Sequence, residues 1–177
     1  MSQPIDAFRQ ARGEDAVAIA ALVNRAYRPS PDAAGWTHEA ELVAGERTDA
    51  AQVAGLMETP GAAVLLGLQG DKIVACVLVE KDGDAGYIGM LAVDPSLQGT
   101  GGGKQMLARA EDHARTAFGA ERFVMVVLSS RTELIAFYLR RGYRRTGVTA
   151  DYPLDAGVGV PKRGDLRIET LEKPAAA

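Results

Sequence analysis

The sequence has very little cysteine and histidine: a single cysteine, Cys76, and two histidines in 177 residues. One cysteine can form no internal disulfide and cannot build a zinc ribbon. Cys76 lies in the apolar run IVACVLVE, where a buried structural thiol is expected rather than a nucleophile. Because no His, Cys and Asp residues occur at metal-ligand spacing, we expect no metal site.

The sequence also has no large excess of positive or of negative charge. Lys and Arg total 20 against 23 Asp and Glu, and the net charge is −3. Nucleic acid and membrane surfaces both require a concentrated basic face, so neither is expected as a partner. The chain also lacks an apolar run of membrane-spanning length and a basic-then-apolar export signal, so we expect a cytoplasmic protein. With 47% apolar and 24% charged residues, it has the composition of one globular domain over residues 1–177.

The first third of the chain predicts a strand followed by helices. A short strand is expected at residues 8–12, followed by a helix over 14–28, where apolar residues recur at helical spacing. A second helix is predicted over 37–45 with Thr37 as its N-cap, and a third after Thr48.

The apolar spacing then changes to that of strands. Residues 63–68, 72–80 and 85–93 are joined by tight turns and predict an antiparallel meander. Gly89 interrupts the third of these strands, which indicates a bulge or a close backbone approach.

The rest of the chain alternates between helix and strand. We expect helices over 104–118 and 132–141, a strand over 122–128, closing strands over 143–146 and 166–171, and a long loop over 151–163. The predicted fold is therefore α/β with a mixed sheet.

Four glycines in five residues stand where a strand gives way to a helix, in LQGTGGGKQML. Such a junction binds anions through bare amides and the helix dipole. An NTPase phosphate loop is excluded because Gln98 replaces its first glycine and Gln105 its hydroxyl residue. A dinucleotide loop fails because Lys104 occupies a small-residue position. The pattern Q-x-x-G-x-G fits at Gln98, Gly101 and Gly103.

Two segments of the chain resemble motifs of the GNAT superfamily of acyl-CoA-dependent N-acetyltransferases. The run LAVDPSLQGTGGGKQML is similar to the central motif with its pyrophosphate loop, and ELIAFYLRRGY is similar to the second motif, whose helix carries a tyrosine. The two are roughly 40 residues apart with a strand between them. The resemblance covers about residues 63–146.

The resemblance implies a mostly antiparallel sheet with helices on both faces, splayed between the fourth and fifth strands (85–93 and 122–128). It also implies a CoA-binding core over 63–146, acceptor-side helices over 13–60 and a C-terminal loop and strand over 147–173. The implied cosubstrate is acetyl-CoA. The implied reaction is direct acetyl transfer, in a ternary complex, to a primary amine of a small molecule or peptide.

The resemblance assigns two catalytic positions. The backbone N–H of Leu91 or Ala92 would stabilise the oxyanion, and the Tyr138 phenol would protonate the departing thiolate. Arg131 stands where the family often has asparagine, so either a pantetheine contact is lost or the arginine reaches a phosphate. For Arg140 and Arg141, two interpretations are open: a position at the helix end with the charge in solvent, or a contact with the CoA phosphates. The full set of implied acetyl-CoA contacts is Leu91, Ala92, Val93, Gln98, Gly99, Thr100, Gly101, Gly102, Gly103, Lys104, Arg131, Phe137 and Tyr138.

The general base is not identified by the resemblance, because Tyr87 occupies the position of the family's glutamate. A water chain or one of four side chains could take the proton: Glu80, Glu39, Glu41 and His38. His113 is expected to be structural. The residues expected to line the acceptor site are Tyr27, Trp36, Thr37, Glu39, Glu80, Tyr87 and Tyr152.

Two alternatives to an active transferase are considered. Tyr87 in place of the glutamate favours a catalytically inactive acyl-CoA-binding sensor, whereas Tyr138 argues against it. A phosphate-transfer enzyme is weakened by Gln98 and Gln105. Homodimers are common in the resembling family, but the sequence identifies no interface.

Overall fold

The computed structural model describes residues 5–29 and 38–176. It contains nine strands and four α-helices in these ranges, with short 3-10 turns between some of them. In chain order the elements are β1 (Ala7–Gln10), α1 (Ala16–Tyr27), β2 (Val43–Ala44), α2 (Ala50–Glu58), β3 (Ala62–Gln69), β4 (Lys72–Asp82), β5 (Ala85–Val93), α3 (Gly102–Phe118), β6 (Arg122–Leu128), α4 (Thr132–Leu139), β7 (Arg144–Asp151), β8 (Val160–Pro161) and β9 (Arg167–Pro174).

A seven-stranded sheet in the order β1-β3-β4-β5-β6-β9-β7 forms the centre of the fold. Its neighbours are antiparallel except β5 and β6, which run parallel. The predicted mixed α/β architecture and the antiparallel meander β3-β4-β5 are therefore confirmed. Strands β2 and β8 form a separate two-stranded sheet.

The sheet opens between β5 and β6. These strands pair only from Ala85↔Arg122 to Tyr87↔Val124, at the beginning of each. The later residues of β5 lie outside this register, so the carboxyl end of β5 has no partner on the β6 side. This confirms the expected splay, and it creates a slot beside Leu91 and Val93.

Helices cover both faces of the sheet, as expected. Helices α1 and α2 pack on one face with Cys76 and Leu78 of β4, and α3 and α4 pack on the other with Val77 and Val79. Because β4 is buried on both faces, its run IVACVLV is continuously apolar rather than alternating. Among the helices of the described ranges, none has both the length and the apolar character that a membrane span requires.

Strand β5 contains a β-bulge next to the splay. Leu78 faces Gly89 and Cys76 faces Ala92, so two residues of β5, Met90 and Leu91, oppose one residue of β4. Met90 has φ 52°, the only positive φ of a non-glycine residue in the described ranges. The bulge predicted at Gly89 thus falls one residue later.

The close approach expected at Gly89 is made by the ring of Tyr87. A Cβ at Gly89 would lie 2.8 Å from Tyr87 Cε1 and 3.1 Å from its hydroxyl oxygen. A side chain at position 89 would force this ring, which lies across the backbone of the same strand, to move.

The helix predicted over 37–45 is wrong for the residues that the structure describes. A single turn is closed by Val43 N–H donating to Glu39 O (3.0 Å), and the chain then enters β2. The Glu39 side chain turns inward to an ion-pair cluster, and β2 pairs with β8, so the segment cannot continue as a helix. The proposed cap Thr37 lies outside the described residues.

The C-terminal elements are longer than predicted. Strand β7 continues to Asp151 instead of ending at residue 146, because it pairs with β9 on both sides of a register shift. The predicted loop over 151–163 also contains β8 and a 3-10 turn. The other elements match the predicted ones with ends that differ by a few residues.

Gly86→Ala tests the contact between β5 and α3. A Cβ at Gly86 would lie 2.6 Å from Ala114 Cβ, a distance that requires the helix to move. We expect the free energy of unfolding to fall by about 1–3 kcal/mol through overpacking, measured by urea denaturation. Gly55→Ala is the control, because nothing lies within 4 Å of this exposed helical glycine. There we expect a gain of about 0.5–1 kcal/mol; equal responses of the two variants would contradict the packing.

Candidate active site

A cavity of about 370 Å³ opens beside the end of β5. It is bounded by the glycine-rich loop, the start of α3, one side of α4 and the end of α1. Its lining residues are Ala26, Tyr27, Leu91, Ala92, Val93, Gln98, Gly99, Gly101, Gly103, Lys104, Arg131, Leu134, Phe137, Tyr138 and Arg141.

The glycine loop presents backbone amides at one end of the cavity. Gly101 is the N-cap of α3 with φ 95°, and the first backbone hydrogen bond of the helix is from Gln105 N to Gly101 O (3.1 Å). The amides of Gly102, Gly103 and Lys104 precede that bond and so have no partner along the helix. A helix N-terminus of this kind attracts an anion.

Two other loop amides are used internally. Gln98 N donates to Pro95 O (3.4 Å), and Thr100 N donates to Leu97 O (3.3 Å). The amides that remain for a ligand are therefore concentrated at the helix start rather than spread from Gln98 to Lys104.

The loop is held in place by Asp94, a residue that the sequence analysis did not single out. One carboxylate oxygen accepts from Ser96 N (3.1 Å) and Ser96 Oγ (2.8 Å), and the other pairs with Arg25 of α1 (3.2 Å). Burial opposes the charge, but the Ser96 hydrogen bonds and Arg25 hold the pKa of Asp94 below its usual value. The signal was present as an Asp-Pro-Ser turn following a strand.

Tyr138 lies on α4 and faces the other end of the cavity. Its side chain is buried and meets the rings of Phe137 and Tyr143 edge-on, with centroids 5.3 and 5.9 Å away. Burial and the nearby Tyr27 raise the pKa of the Tyr138 phenol, while the charge of Arg131 opposes the rise. The phenol is therefore protonated at neutral pH.

Arg141 adds a cation to the cavity wall beside the glycine loop. Its guanidinium lies 3.7 Å from the centroid of the Phe137 ring and donates to Phe137 O (2.8 Å). Burial lowers its pKa, and the charge of Arg140 acts in the same direction. Arg141 Nε is buried with no hydrogen-bond partner among the described residues. Arg140 is not among the lining residues.

A buried cluster of charges lies next to the cavity at the end of α1, and one of its members, Arg131, lines the cavity. Glu39 accepts a hydrogen bond from Arg28 Nε (3.0 Å) and lies 3.5 Å from Arg131 Nη1. Arg28 also donates to Gly45 O (2.8 Å) and Val158 O (2.7 Å). This cluster joins the end of α1, the following turn, the start of α4 and the C-terminal loop.

Tyr27 lines the cavity beside this cluster. Its ring is contacted by the guanidinium carbons of Arg47 and Arg131, at 5.4 and 5.9 Å from the centroid. Burial raises the pKa of its phenol to about 12, although both arginines oppose the rise.

Of the residues expected to contact acetyl-CoA, all but Thr100 and Gly102 line the cavity. Thr100 is exposed, and its hydroxyl bonds to Leu97 O. Gly102 faces the core, since a Cβ there would lie 3.4 Å from Val93 Cγ1.

The residues expected at the acceptor site are arranged differently. Trp36 lies outside the described residues, and Glu39 is held in ion pairs. Tyr87 and Glu80 face each other in the β4–β5 register, and the Tyr152 hydroxyl donates to Val158 O (3.1 Å). None of these described residues lines the cavity itself, whereas Tyr27 does.

The remaining candidate bases and His113 also lie away from the lining. His38 Nδ1 accepts from Ala40 N (3.3 Å), and Glu41 is exposed. The His113 ring meets Phe118 edge-on at 5.2 Å, which fits a structural role. In the described part of the chain, no group of three or more His, Cys, Asp or Glu side chains could hold a metal ion.

The sequence of this chain is similar to known acetyltransferases. A sequence profile of the acetyltransferase (GNAT) family matches residues 18–143. The mycothiol acetyltransferase of Salinispora tropica is 32% identical over 145 residues, which cover 80% of this chain. The chain spans about 45% of the length of that relative.

Solved structures show the same fold. The ribosomal-protein-S18-alanine N-acetyltransferase of Escherichia coli superimposes with a TM-score of 0.69 at 17% identity, covering 97% of this chain and 94% of that one. The PaiA N-acetyltransferase of Thermoplasma acidophilum, solved in complex with coenzyme A, gives 0.71 at 14% identity, covering 98% and 99%. The profile match over most of the chain, with the 32% identity to a mycothiol acetyltransferase, shows that the chain belongs to the GNAT family of acetyltransferases.

Proposed function

We propose that this protein transfers an acetyl group from acetyl-CoA to a primary amine of a small molecule or peptide. The observation that carries the proposal is a single cavity that joins three features: the amides at the start of α3, the unpaired edge of β5 and the Tyr138 phenol. Each feature suits one part of acetyl-CoA or one step of its reaction.

The residues present fit the diphosphate of CoA. Gly101, Gly103 and Lys104 line the cavity, and glycine lets a diphosphate approach the backbone closely. Lys104 and Arg141 add positive charge at the same wall. The wall between this loop and Tyr138 is mostly apolar, with Val93, Leu134 and Phe137, which suits a long and mostly apolar thioester arm.

The open edge of β5 fits the amides of that arm. Because β6 leaves β5 after Tyr87, the backbone of Leu91, Ala92 and Val93 can pair with an extended ligand as a neighbouring strand would. The bulge at Met90 and Leu91 disrupts the ladder with β4, so we assign the Leu91 N–H as the donor to the developing oxyanion.

Tyr138 is proposed as the general acid. The amine nitrogen attacks the thioester carbonyl, and the carbon–sulfur bond breaks as the thiolate takes the Tyr138 proton. The nitrogen then releases a proton through water, which restores the phenol. The raised pKa of Tyr138 is not an obstacle, because burial in the same cavity also raises the pKa of the leaving thiol.

We infer that the acceptor loses its first proton to water rather than to a carboxylate. No Asp or Glu is among the described residues that line the cavity, and Glu39 is engaged by Arg28 and Arg131. The charge of Arg131 on the cavity wall lowers the pKa of an adjacent ammonium group, which favours the neutral nucleophile.

Direct attack is favoured over an acyl-enzyme. Cys76, the only cysteine of the sequence, is fully buried, and burial raises the pKa of its thiol to about 12. A thiol in this state is not a nucleophile at neutral pH. The amine must therefore meet the thioester itself in a ternary complex.

The second candidate, an acyl-CoA-binding sensor, is favoured by one observation: the cavity wall has no carboxylate among the described residues. Release of free thiol from acetyl-CoA separates the two functions. We expect amine-dependent release whose rate rises with pH up to the ammonium pKa of each acceptor, since only the neutral amine reacts. Tight acetyl-CoA binding with no release across a broad amine panel would instead identify a sensor.

Gly103→Ala tests whether the glycine loop binds the diphosphate of CoA. The added methyl would lie 3.5 Å from Phe137 Cζ and 3.9 Å from Val93 Cγ2, so the fold accommodates it, and alanine suits the helix better than glycine. We expect unchanged or higher thermal stability with about tenfold weaker acetyl-CoA binding by calorimetry, because the methyl keeps the diphosphate from the amide. Unchanged affinity would place the diphosphate elsewhere.

Tyr138→Phe tests the proposed role of Tyr138 as the general acid. We expect kcat to fall by about 10²-fold while the Kd of acetyl-CoA changes little, because only the proton donor is removed. Tyr143→Phe is the matched control: its hydroxyl donates to Glu111 (2.9 Å), so its loss should lower the Tm and spare kcat. Equal effects of both substitutions on kcat would reject Tyr138 as the acid.

A further inference from the structure

We propose that the acceptor is an amine that also carries a carboxylate, and that the Arg47 guanidinium binds this carboxylate. The inference rests on the proposed acetyl transfer and names the substrate class for the same site. Charged side chains surround Tyr27, the residue where the cavity meets the acceptor side.

Arg47 is held in a fixed position by α1. Its backbone N–H donates to Asn24 Oδ1 (2.8 Å), which also accepts from Thr48 N (3.1 Å). In return, Asn24 Nδ2 donates to Thr48 O (2.9 Å). Three hydrogen bonds to one side chain therefore fasten this segment beside the end of α1.

From this position the Arg47 side chain reaches over Tyr27. Its guanidinium carbon lies 5.4 Å from the centroid of the ring, and Tyr27 lines the cavity together with Leu91 and Arg131. Arg47 itself does not line the cavity. Its guanidinium thus lies beside Tyr27, which shares the cavity with the bare end of β5, where the proposed reaction takes place.

The carboxylates near Arg47 have other partners. Glu39 is held by Arg28 and Arg131, and the Asp49 carboxylate caps α2 by accepting from Gln52 N (2.8 Å). Within residues 5–29 and 38–176, no carboxylate forms an ion pair with Arg47. Arg28 and Arg131 thus share the Glu39 carboxylate, and Arg131 also lies 4.0 Å from the carboxylate of Glu133. Arg47 is the guanidinium of this group that pairs with no carboxylate among the described residues.

A guanidinium with no carboxylate partner on the acceptor side favours an anionic acceptor. A guanidinium accepts a carboxylate through two parallel hydrogen bonds, and its one positive charge matches a single negative charge. A diamine or polyamine would instead bring a second cation beside Arg47 and Arg131. The charge of Arg47 also reaches inward, where it opposes the rise that burial causes in the pKa of Tyr87.

Matched acceptors test the inference in the wild-type protein. Each α-amino acid is compared with its own carboxamide, which keeps the side chain and removes the negative charge. We expect kcat/KM to be about 10- to 100-fold higher for the acid, the range of a charged hydrogen bond. Amine basicity cannot produce this preference, because the carboxamide has the lower ammonium pKa and the larger neutral fraction.

Variants then assign the preference to one residue. Arg47→Ala should raise the KM of the acid about tenfold or more and leave the KM of the amide within about twofold. Arg47→Lys should keep part of the preference, since it keeps the charge. Arg109→Ala is the matched control, because its guanidinium also lies over an aromatic ring (Phe8, 4.1 Å) but away from the cavity.

The outcomes separate this inference from the proposed function. Thiol release with amides or diamines that equals or exceeds release with acids overturns the carboxylate inference and leaves acetyl transfer intact. Equal losses for acid and amide in Arg47→Ala also overturn it, since they indicate a structural role. No release with any amine rejects acetyl transfer, and the inference with it.

Discussion

The parting of β5 from β6 is the constraint on which the rest of the structure depends. The two strands share only three residue pairs, so the last part of β5 has backbone groups with no strand beside them on that side. In a closed sheet, hydrogen bonds to the neighbouring strand would occupy these backbone groups. Here they form one wall of the cavity, with the α3 amides at one end and the Tyr138 phenol at the other. The bulge at Met90 falls in the same stretch and interrupts the pairing with β4, which resumes at Ala92 and Val93.

Buried charges hold the opposite wall. Arg28, Glu39 and Arg131 come from three separate segments, and the hydrogen bonds of Arg28 to Gly45 and Val158 tie in two more. Removing one member of such a cluster leaves an uncompensated charge, which is far more costly than losing a surface pair. The cluster therefore fixes the shape of the acceptor side. Beside this cluster, Arg47 lies over Tyr27 and pairs with no carboxylate within the described residues, so it provides the positive charge for the proposed acceptor carboxylate.

The parts of the site that were predictable from sequence are those encoded by local patterns. The glycines before α3 and Tyr138 on α4 belong to short motifs whose spacing is itself the signal, and Cys76 stands in an unbroken apolar run. The ion pairs of Glu39 with Arg28 and Arg131 join residues far apart in the chain, so no local sequence pattern predicts them. The helix predicted over residues 37–45 does not form, because the buried ion pairs of Glu39 and the pairing of β2 with β8 override the local helical pattern. The bulge was predicted at Gly89 because glycine often marks such a feature. In the structure the positive φ is at Met90, and Gly89 instead gives room to the ring of Tyr87.

A crystal structure of the protein with CoA tests the central claim most directly. The account predicts diphosphate oxygens within hydrogen-bond distance of the amides from Gly101 to Lys104, pantetheine amides paired with Leu91–Val93, and the sulfur next to the Tyr138 hydroxyl. CoA bound in another cleft would contradict the account, and so would a diphosphate held by side chains alone while these amides bond within the protein.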